Sequence, residues 1–235
     1  MASHPSADSL NLIFDADDTL WHSNIHFLEA EAAFIQLLYG RGLTDHVEIR
    51  GALRRHELSI IADIGYGRGP YVTALQRVVL ELLPSDHHQS VQLEVERLGA
   101  RLLGRTCELL PGVESTLRDL AQRHRLLLFT KGQPEEQLAK LERSGLRSLF
   151  NRVGIPIEKD ATTYRLLVAQ ADLDSSRTVM IGNSPRSDIN PALKAGLRAV
   201  YIPHPHTWEL EHEEVDHGDD RLLVLASFPR LLDIF

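Results

Sequence analysis

The chain has 235 residues, 43% hydrophobic and 25% charged, with 25 Lys+Arg against 33 Asp+Glu for a formal net charge of −8. That composition is globular, sized for one large domain or one domain with an insert. The acid excess excludes a general nucleic-acid binder and a polybasic membrane anchor. The lone cysteine, Cys107, excludes an internal disulfide and a CxxC zinc site and suits a reducing, cytoplasmic setting.

In chain order, Met1–Ser9 is small and polar, lacks the basic and apolar regions of a signal peptide, and reads as a frayed tail. No apolar run approaches the roughly 20 residues of a membrane span. Leu10–Asp15 is a short apolar run, read as a buried strand. From His22 to Cys107 the apolar residues recur at helical spacing: Ala30, Phe34, Leu37 and Leu38 share one face, as do Val72, Leu75, Val78, Val79 and Leu82, and Val91, Val95, Leu98 and Leu102. This predicts four or five helices, interrupted by a Gly65–Pro70 loop. After Pro111-Gly112 helix and strand alternate. Strands are expected over Arg125–Thr130, Asn151–Ile157, Thr178–Gly182 and Ala199–Ile202. Helices are expected around Leu117, over Pro134–Ser144 with Gly145 ending it, from Asp160 or Thr162 to Ala171, and over Pro185–Ala195 ended by Gly196.

Such alternation predicts an α/β fold with a doubly wound parallel sheet covered by helices. The helical segment 22–107 is an insert in a core of 1–21 and 108–235. Because it leaves the C-terminal end of a sheet strand, it reads as a cap over the usual ligand crevice.

Four features fall at predicted strand ends. Asp15-Ala16-Asp17-Asp18-Thr19 puts three carboxylates in four positions, a repulsion that a divalent cation would relieve. Thr130-Lys131-Gly132 offers a hydroxyl and backbone N–H groups suited to phosphate oxygens. Lys159 lies between a strand and a helix. Gly182-Asn183 through Asp188 offers oxygen ligands suited to a hard cation such as Mg2+, with Gly182 permitting a tight turn. In a doubly wound sheet these ends converge on one crevice.

Taken in order, these motifs resemble the haloacid dehalogenase (HAD) superfamily: the strand plus DxDxT at Phe14–Thr19, the strand-ending Thr130, Lys159, and the acidic loop from Gly182-Asn183 to Asp188. The helical insert looks like the family's C1 cap, and the core like its Rossmann-like sheet. The resemblance implies a Mg2+-dependent phosphatase acting on a small phosphorylated metabolite, as a monomer or homodimer. Asp15 would be the nucleophile and Asp17 the general acid and base. Thr130 and Lys131 would hold the phosphoryl group, and Lys159 would neutralise charge. Asp15, the Asp17 carbonyl, Asn183 and Asp188 would hold the metal.

Asn183 stands where relatives carry an acid, which predicts weaker metal affinity. Asp160 follows Lys159 where many relatives have proline, leaving Lys140 as the fallback lysine. Asp17 argues against a haloacid dehalogenase, and the absence of lysine from 22–107 argues against a Schiff-base phosphonate hydrolase. A phosphosugar mutase and a non-catalytic phosphate sensor are the alternatives. For specificity the insert offers Tyr66 and Arg68 in the expected loop, and Arg50, Arg54 and Arg55. Trp21 and His22 fit either a gating flap or packing. His204–His212 carries three histidines and reads as a surface loop, because Pro205 blocks a regular helical His pair.

Overall fold

The computed structural model describes residues 9–235. The tail expected over Met1–Ser9 therefore lies, Ser9 apart, outside the described residues. The chain divides into two compact units, one running up to Asn24 and resuming over Cys107–Phe235, the other Ile25–Thr106.

The first unit is built on six parallel strands: β1 (Asn11–Phe14), β2 (Arg125–Phe129), β3 (Arg152–Gly154), β4 (Thr178–Gly182), β5 (Arg198–Tyr201) and β6 (Leu222–Val224). Their order, β3-β2-β1-β4-β5-β6, is doubly wound, with the strand order reversing beside β1. The strands β1, β2 and β4 read as near-continuous apolar runs because both faces are buried. Leu12, Phe14, Leu126, Leu128, Val179 and Ile181 pack on one side. Their partners there are Val113, Leu117 and Leu120 of helix α5 (Val113–Leu120) and Leu141 of α6 (Pro134–Arg143). Ile13, Leu127, Phe129 and Met180 pack on the other against Tyr164 and Leu167 of α7 (Ala161–Gln170) and Ala192 of α8 (Asn190–Lys194).

β6 was not foreseen. It is a three-residue edge strand with Leu223 and Val224 about 40% exposed at 40% and 43%, so it carries neither a buried run nor a clean alternation. The single helix expected over Pro185–Ala195 is in fact a π-helical turn, Pro185–Ile189, followed by α8. Where the chain leaves this unit and returns, Trp21 and Leu109 form an antiparallel bridge, with the His22 N–H donating to the Glu108 carbonyl and the Leu110 N–H to Leu20.

The second unit holds four helices among the described residues: Asn24–Tyr39 (which begins at the unit boundary), His46–Ile64, Arg68–Leu82 and Ser85–Leu103. The expected apolar faces meet in one core that includes Phe34, Leu38, Ile49, Leu75, Val79, Val91, Val95 and Leu102. The expected Gly65–Pro70 loop shrinks to Gly65–Gly67, because Arg68 already opens a helix. No helix among the described residues is long and apolar enough to cross a membrane.

Candidate active site

The site gathers at the C-terminal ends of β1, β2 and β4, beside the point where the strand order reverses. Asp15 follows β1 directly. Its Oδ1 accepts from the Lys159 Nζ at 2.6 Å, and its Oδ2 lies 3.1 Å from the Thr19 hydroxyl. The same Lys159 ammonium reaches Asp188 Oδ1 at 2.5 Å. Lys159 thus sits between two buried carboxylates and is itself 5% exposed.

The residue after it explains the departure at motif three. Asp160 is the N-cap of α7, its carboxylate accepting from the Thr163 N–H and hydroxyl at 2.7 Å each. An aspartate does there what starts the helix, and the lysine before it keeps its place.

Asp188 is carried by the π-helical turn, which bends its Oδ2 back onto the Ser184 N–H at 3.0 Å. Gly182 is needed for that approach, since an added Cβ would run into the Asp188 carboxylate. Its backbone is not in the left-handed region, so close packing rather than a tight turn demands the glycine. Asn183 is buried. Its Oδ1 lies 3.1 Å from the Thr19 hydroxyl, which it shares with Asp15, and its Nδ2 donates to the Thr207 Oγ1 at 3.0 Å.

The three motif-one carboxylates separate onto three different partners. Asp15 takes Lys159. Asp17 takes Lys140, the fallback lysine, whose Nζ lies 2.9 Å from both carboxylate oxygens. Asp18, in the left-handed region at φ 61°, accepts from the Ser23 and Asn24 N–H groups. Much of the repulsion that a cation was expected to relieve is therefore relieved by the protein itself.

The electrostatics follow. Burial pushes Asp15 above the ordinary carboxylate range although Lys159 pulls the other way. Burial and the Asp15 charge push Asp188 up to about 7. Burial opposes the Lys159 ammonium, but Asp15 and Asp188 overrule it and hold its pKa well above the usual lysine value. Burial would also raise Asp17, but Lys140 and the surrounding donors win and bring it down to about 2. Asp18 rises to about 7 through burial.

Thr130, just past β2, is buried, and its N–H donates to the Gly154 carbonyl. Its hydroxyl makes only a 3.4 Å contact with the Lys131 carbonyl. Asp15, Lys159, Asp188 and, through the Thr19 hydroxyl, Asn183 are thus joined by direct contacts, while Thr130 ends the neighbouring strand β2 and Asp17 follows β1.

A family model for haloacid dehalogenase-like hydrolase matches residues 11–196, which span every one of these side chains. The chain belongs to that family. It is 28% identical to a haloacid dehalogenase-like family hydrolase from Xanthomonas campestris, with a TM-score of 0.79 over 97% of this chain and 96% of that one. Among curated proteins it is 32% identical over 107 residues to the pyrimidine 5'-nucleotidase YjjG of Escherichia coli K12, covering 43% of this chain and 47% of the relative. It is 31% identical over 100 residues to a phosphoserine phosphatase of Thermus thermophilus, covering 40% of each. The chain therefore matches less than half the length of these curated relatives.

The remaining expected residues of this HAD hydrolase have local partners of their own. Arg68 is buried within the helical unit, and its Nη1 donates to the Leu102 carbonyl at 3.1 Å, near a helix C-terminus. Tyr66 is half-buried in the short Gly65–Gly67 turn. Arg50 and Arg55 are exposed and pair with Glu31 and Glu81. Trp21 packs in the core and also donates its indole N–H to Asp17.

The His204–His212 segment is a partly exposed loop after β5, as expected, and it also makes contacts with the site residues. The His206 carbonyl accepts from Asn24, Thr207 holds Asn183, and Glu211 bridges two motifs. Glu211 Oε1 takes the Lys131 ammonium at 2.8 Å, and Oε2 takes the Ser184 hydroxyl at 2.5 Å. Burial disfavours its charge, but Lys131 and the serine donors prevail and lower its pKa to about 2. No sequence motif announced Thr207 or Glu211.

A pH dependence follows from Glu211. A depressed carboxylate stabilises the fold above its unfolded pKa, and that stability is lost as pH falls through the folded value. Glu211→Gln should therefore be less stable than the parent in urea at pH 7. The gap should narrow as pH drops from about 4.5 towards 2. A gap independent of pH would contradict the ion-pair account.

Proposed function

We propose that this chain is a Mg2+-dependent phosphatase that hydrolyses a small phosphorylated metabolite through an aspartyl-phosphate on Asp15. The observation that carries the reading is the second motif-one carboxylate, Asp17, held in the same crevice as Asp15 with a lysine of its own. Displacing a halide needs one carboxylate nucleophile, whereas hydrolysing a phosphate monoester also needs a group to move protons to the leaving oxygen and from water.

The donor set suits Mg2+. Asp15, Asn183 and Asp188 present only oxygen, and two of them are carboxylates pushed above their ordinary range by burial. Among the described residues no cluster of three His, Cys, Asp or Glu forms a metal-binding group; the set here is mixed, with an amide at 183 and the Asp17 backbone carbonyl. Asp15, Asn183, Asp188 and that carbonyl would hold the ion. Bound there, Mg2+ would lessen the repulsion between the anionic nucleophile and an anionic phosphate.

The chain's own groups divide the remaining work. Asp15 attacks phosphorus and the leaving oxygen departs. Lys159 and Thr130 balance and orient the transferring group. At rest Asp17 is ionised and ready to take a proton from water. A phosphate dianion arriving beside it raises its proton affinity by like-charge repulsion, so that Asp17 takes a proton from solvent as one of its hydrogen bonds gives way, passes it to the leaving oxygen, and is then free to accept one from the attacking water.

The test is phosphate release from a panel led by nucleoside monophosphates and phosphoserine, the substrate classes named in its curated relatives, with sugar phosphates and flavin mononucleotide added. Release that depends on added Mg2+ is expected. A folded chain that frees no phosphate from any compound, or that instead frees halide from a 2-haloacid, would sink the reading.

Asn183 supplies a separate prediction. Asn183→Asp adds one ligand charge, and Thr207 can accommodate it because a hydroxyl donates as readily as it accepts. The Mg2+ concentration for half-maximal phosphate release should fall about tenfold, the effect of roughly 1.4 kcal/mol in ligand binding. An unchanged half-saturation would contradict the assignment of position 183 to the metal.

A further inference from the structure

We infer that Gln137 and Lys140, on the buried stripe of α6, are positioning residues that fix the Asp17 carboxylate for proton transfer. The inference rests on the phosphatase reading.

Three donor groups make four contacts with Asp17. Oδ1 accepts from the Trp21 indole N–H at 2.7 Å and from Lys140 at 2.9 Å; Oδ2 accepts from the Gln137 amide at 2.8 Å and from Lys140 at 2.9 Å. An ionised carboxylate has about four lone-pair directions, so this set leaves its rotamer little freedom. The donors come from two elements that are far apart in sequence. Lys140 is buried, and its other partner is Glu136 on the same helix at 3.4 Å.

Gln137 shows that the arrangement is not a by-product of packing. Its Nε2 donates both to Asp17 and to the Lys131 carbonyl, the latter at 2.6 Å. Its Oε1 is buried without a hydrogen-bond partner among the described residues. Flipping the amide would not help, since the oxygen would then face a carboxylate and a carbonyl. A buried orphan acceptor is unfavourable, and a leucine or methionine at this position would avoid it. The chain also makes room for this side chain. Gly132 sits at φ +134°, and an added Cβ there would lie 2.7 Å from the Gln137 nitrogen. A glutamine that leaves an acceptor unsatisfied while orienting a carboxylate in the crevice is placed for that carboxylate. Lys159 serves the nucleophile; Lys140 and Gln137 serve its neighbour.

The test compares an alkyl phosphate with p-nitrophenyl phosphate in the parent, Lys140→Met, Lys140→Arg and Gln137→Ala, with Mg2+ present. The alkyl leaving group needs a proton in the transition state and the nitrophenolate does not. A misplaced Asp17 should therefore lower kcat for the alkyl ester about 10²-fold in Lys140→Met and p-nitrophenyl phosphate turnover by less than about tenfold. KM should move little. Lys140→Arg should recover part of the difference. Gln137→Ala should show the same bias at smaller size, and it tests the idea even if Lys140→Met melts, because it deletes only a neutral donor.

Equal losses on both esters, or no loss, would overturn the inference and leave the clamp a structural contact. A parent enzyme that hydrolyses neither ester would overturn the phosphatase reading and this inference with it.

Discussion

Asp15→Asn is expected to abolish phosphate release without unfolding the chain. An amide oxygen is a far weaker nucleophile than a carboxylate, so no aspartyl-phosphate forms and the rate at saturating substrate should drop at least about 10³-fold. Stability should behave differently. Burial holds the Asp15 pKa above its unfolded value, so ionising it in the fold costs stability, a cost that grows as pH rises from the unfolded towards the folded pKa. Asparagine removes that cost. Its oxygen can still accept from Lys159, which keeps its second partner, Asp188. Without added metal at pH 7.5, the variant should melt at the parent temperature or a few degrees above it. Phosphate release surviving in this variant would remove Asp15 from the nucleophile role; a collapsed melting curve would contradict the electrostatic account of the Asp15–Lys159–Asp188 trio.

What the sequence made legible, and what it did not, divides along a physical line. β1, β2 and β4 were visible because strands buried on both faces must be apolar throughout. Asp15, Thr130, Lys159 and Asp188 were visible because each follows its strand in chain order, and parallel strands bring their C-terminal ends together. Lys140 was seen but misplaced as a substitute for Lys159. It belongs to Asp17, a pairing that requires knowing which face of α6 meets the β1 loop. A signal was present: Gln137, Lys140 and Leu141 share the buried stripe, while Leu138 is exposed. Two polar side chains occupying the apolar face of an amphipathic helix mark a buried polar partner. Thr207 and Glu211 carried no such signal. They arrive on an irregular segment after β5, and only the tertiary path of that segment sets Glu211 between Lys131 and Ser184.

The largest stability loss is expected from Lys159→Met. Methionine fills similar volume but leaves Asp15 and Asp188 buried and facing each other without a cation. Breaking a buried ion pair by removing one partner costs about 3–5 kcal/mol. The sign of the pH dependence is set by the carboxylates. In the parent, the Lys159 pKa is raised, so its stabilisation is complete below the ordinary lysine value and constant across neutral pH. In the variant, both carboxylates lose the group that held them down, and Asp188 starts from about 7 even with the lysine present. The variant's stability should therefore fall as pH rises from the ordinary carboxylate range through these raised values. Urea unfolding should show a deficit that is largest near pH 8 and shrinks towards pH 5, where the carboxylates accept protons instead.

Two further results would separate charge from packing in this variant. Adding Asp188→Asn to Lys159→Met removes one of the two stranded charges and should recover part of the lost stability, a coupling that a packing defect would not show. Millimolar Mg2+ should raise the melting temperature of Lys159→Met more than that of the parent, because a divalent ion on Asp15, Asn183 and Asp188 would supply the positive charge the substitution took away. Equal shifts in the two proteins would mean that Lys159 and the metal do not share those carboxylates, and the oxygen set at positions 15, 183 and 188 would lose its claim to the ion.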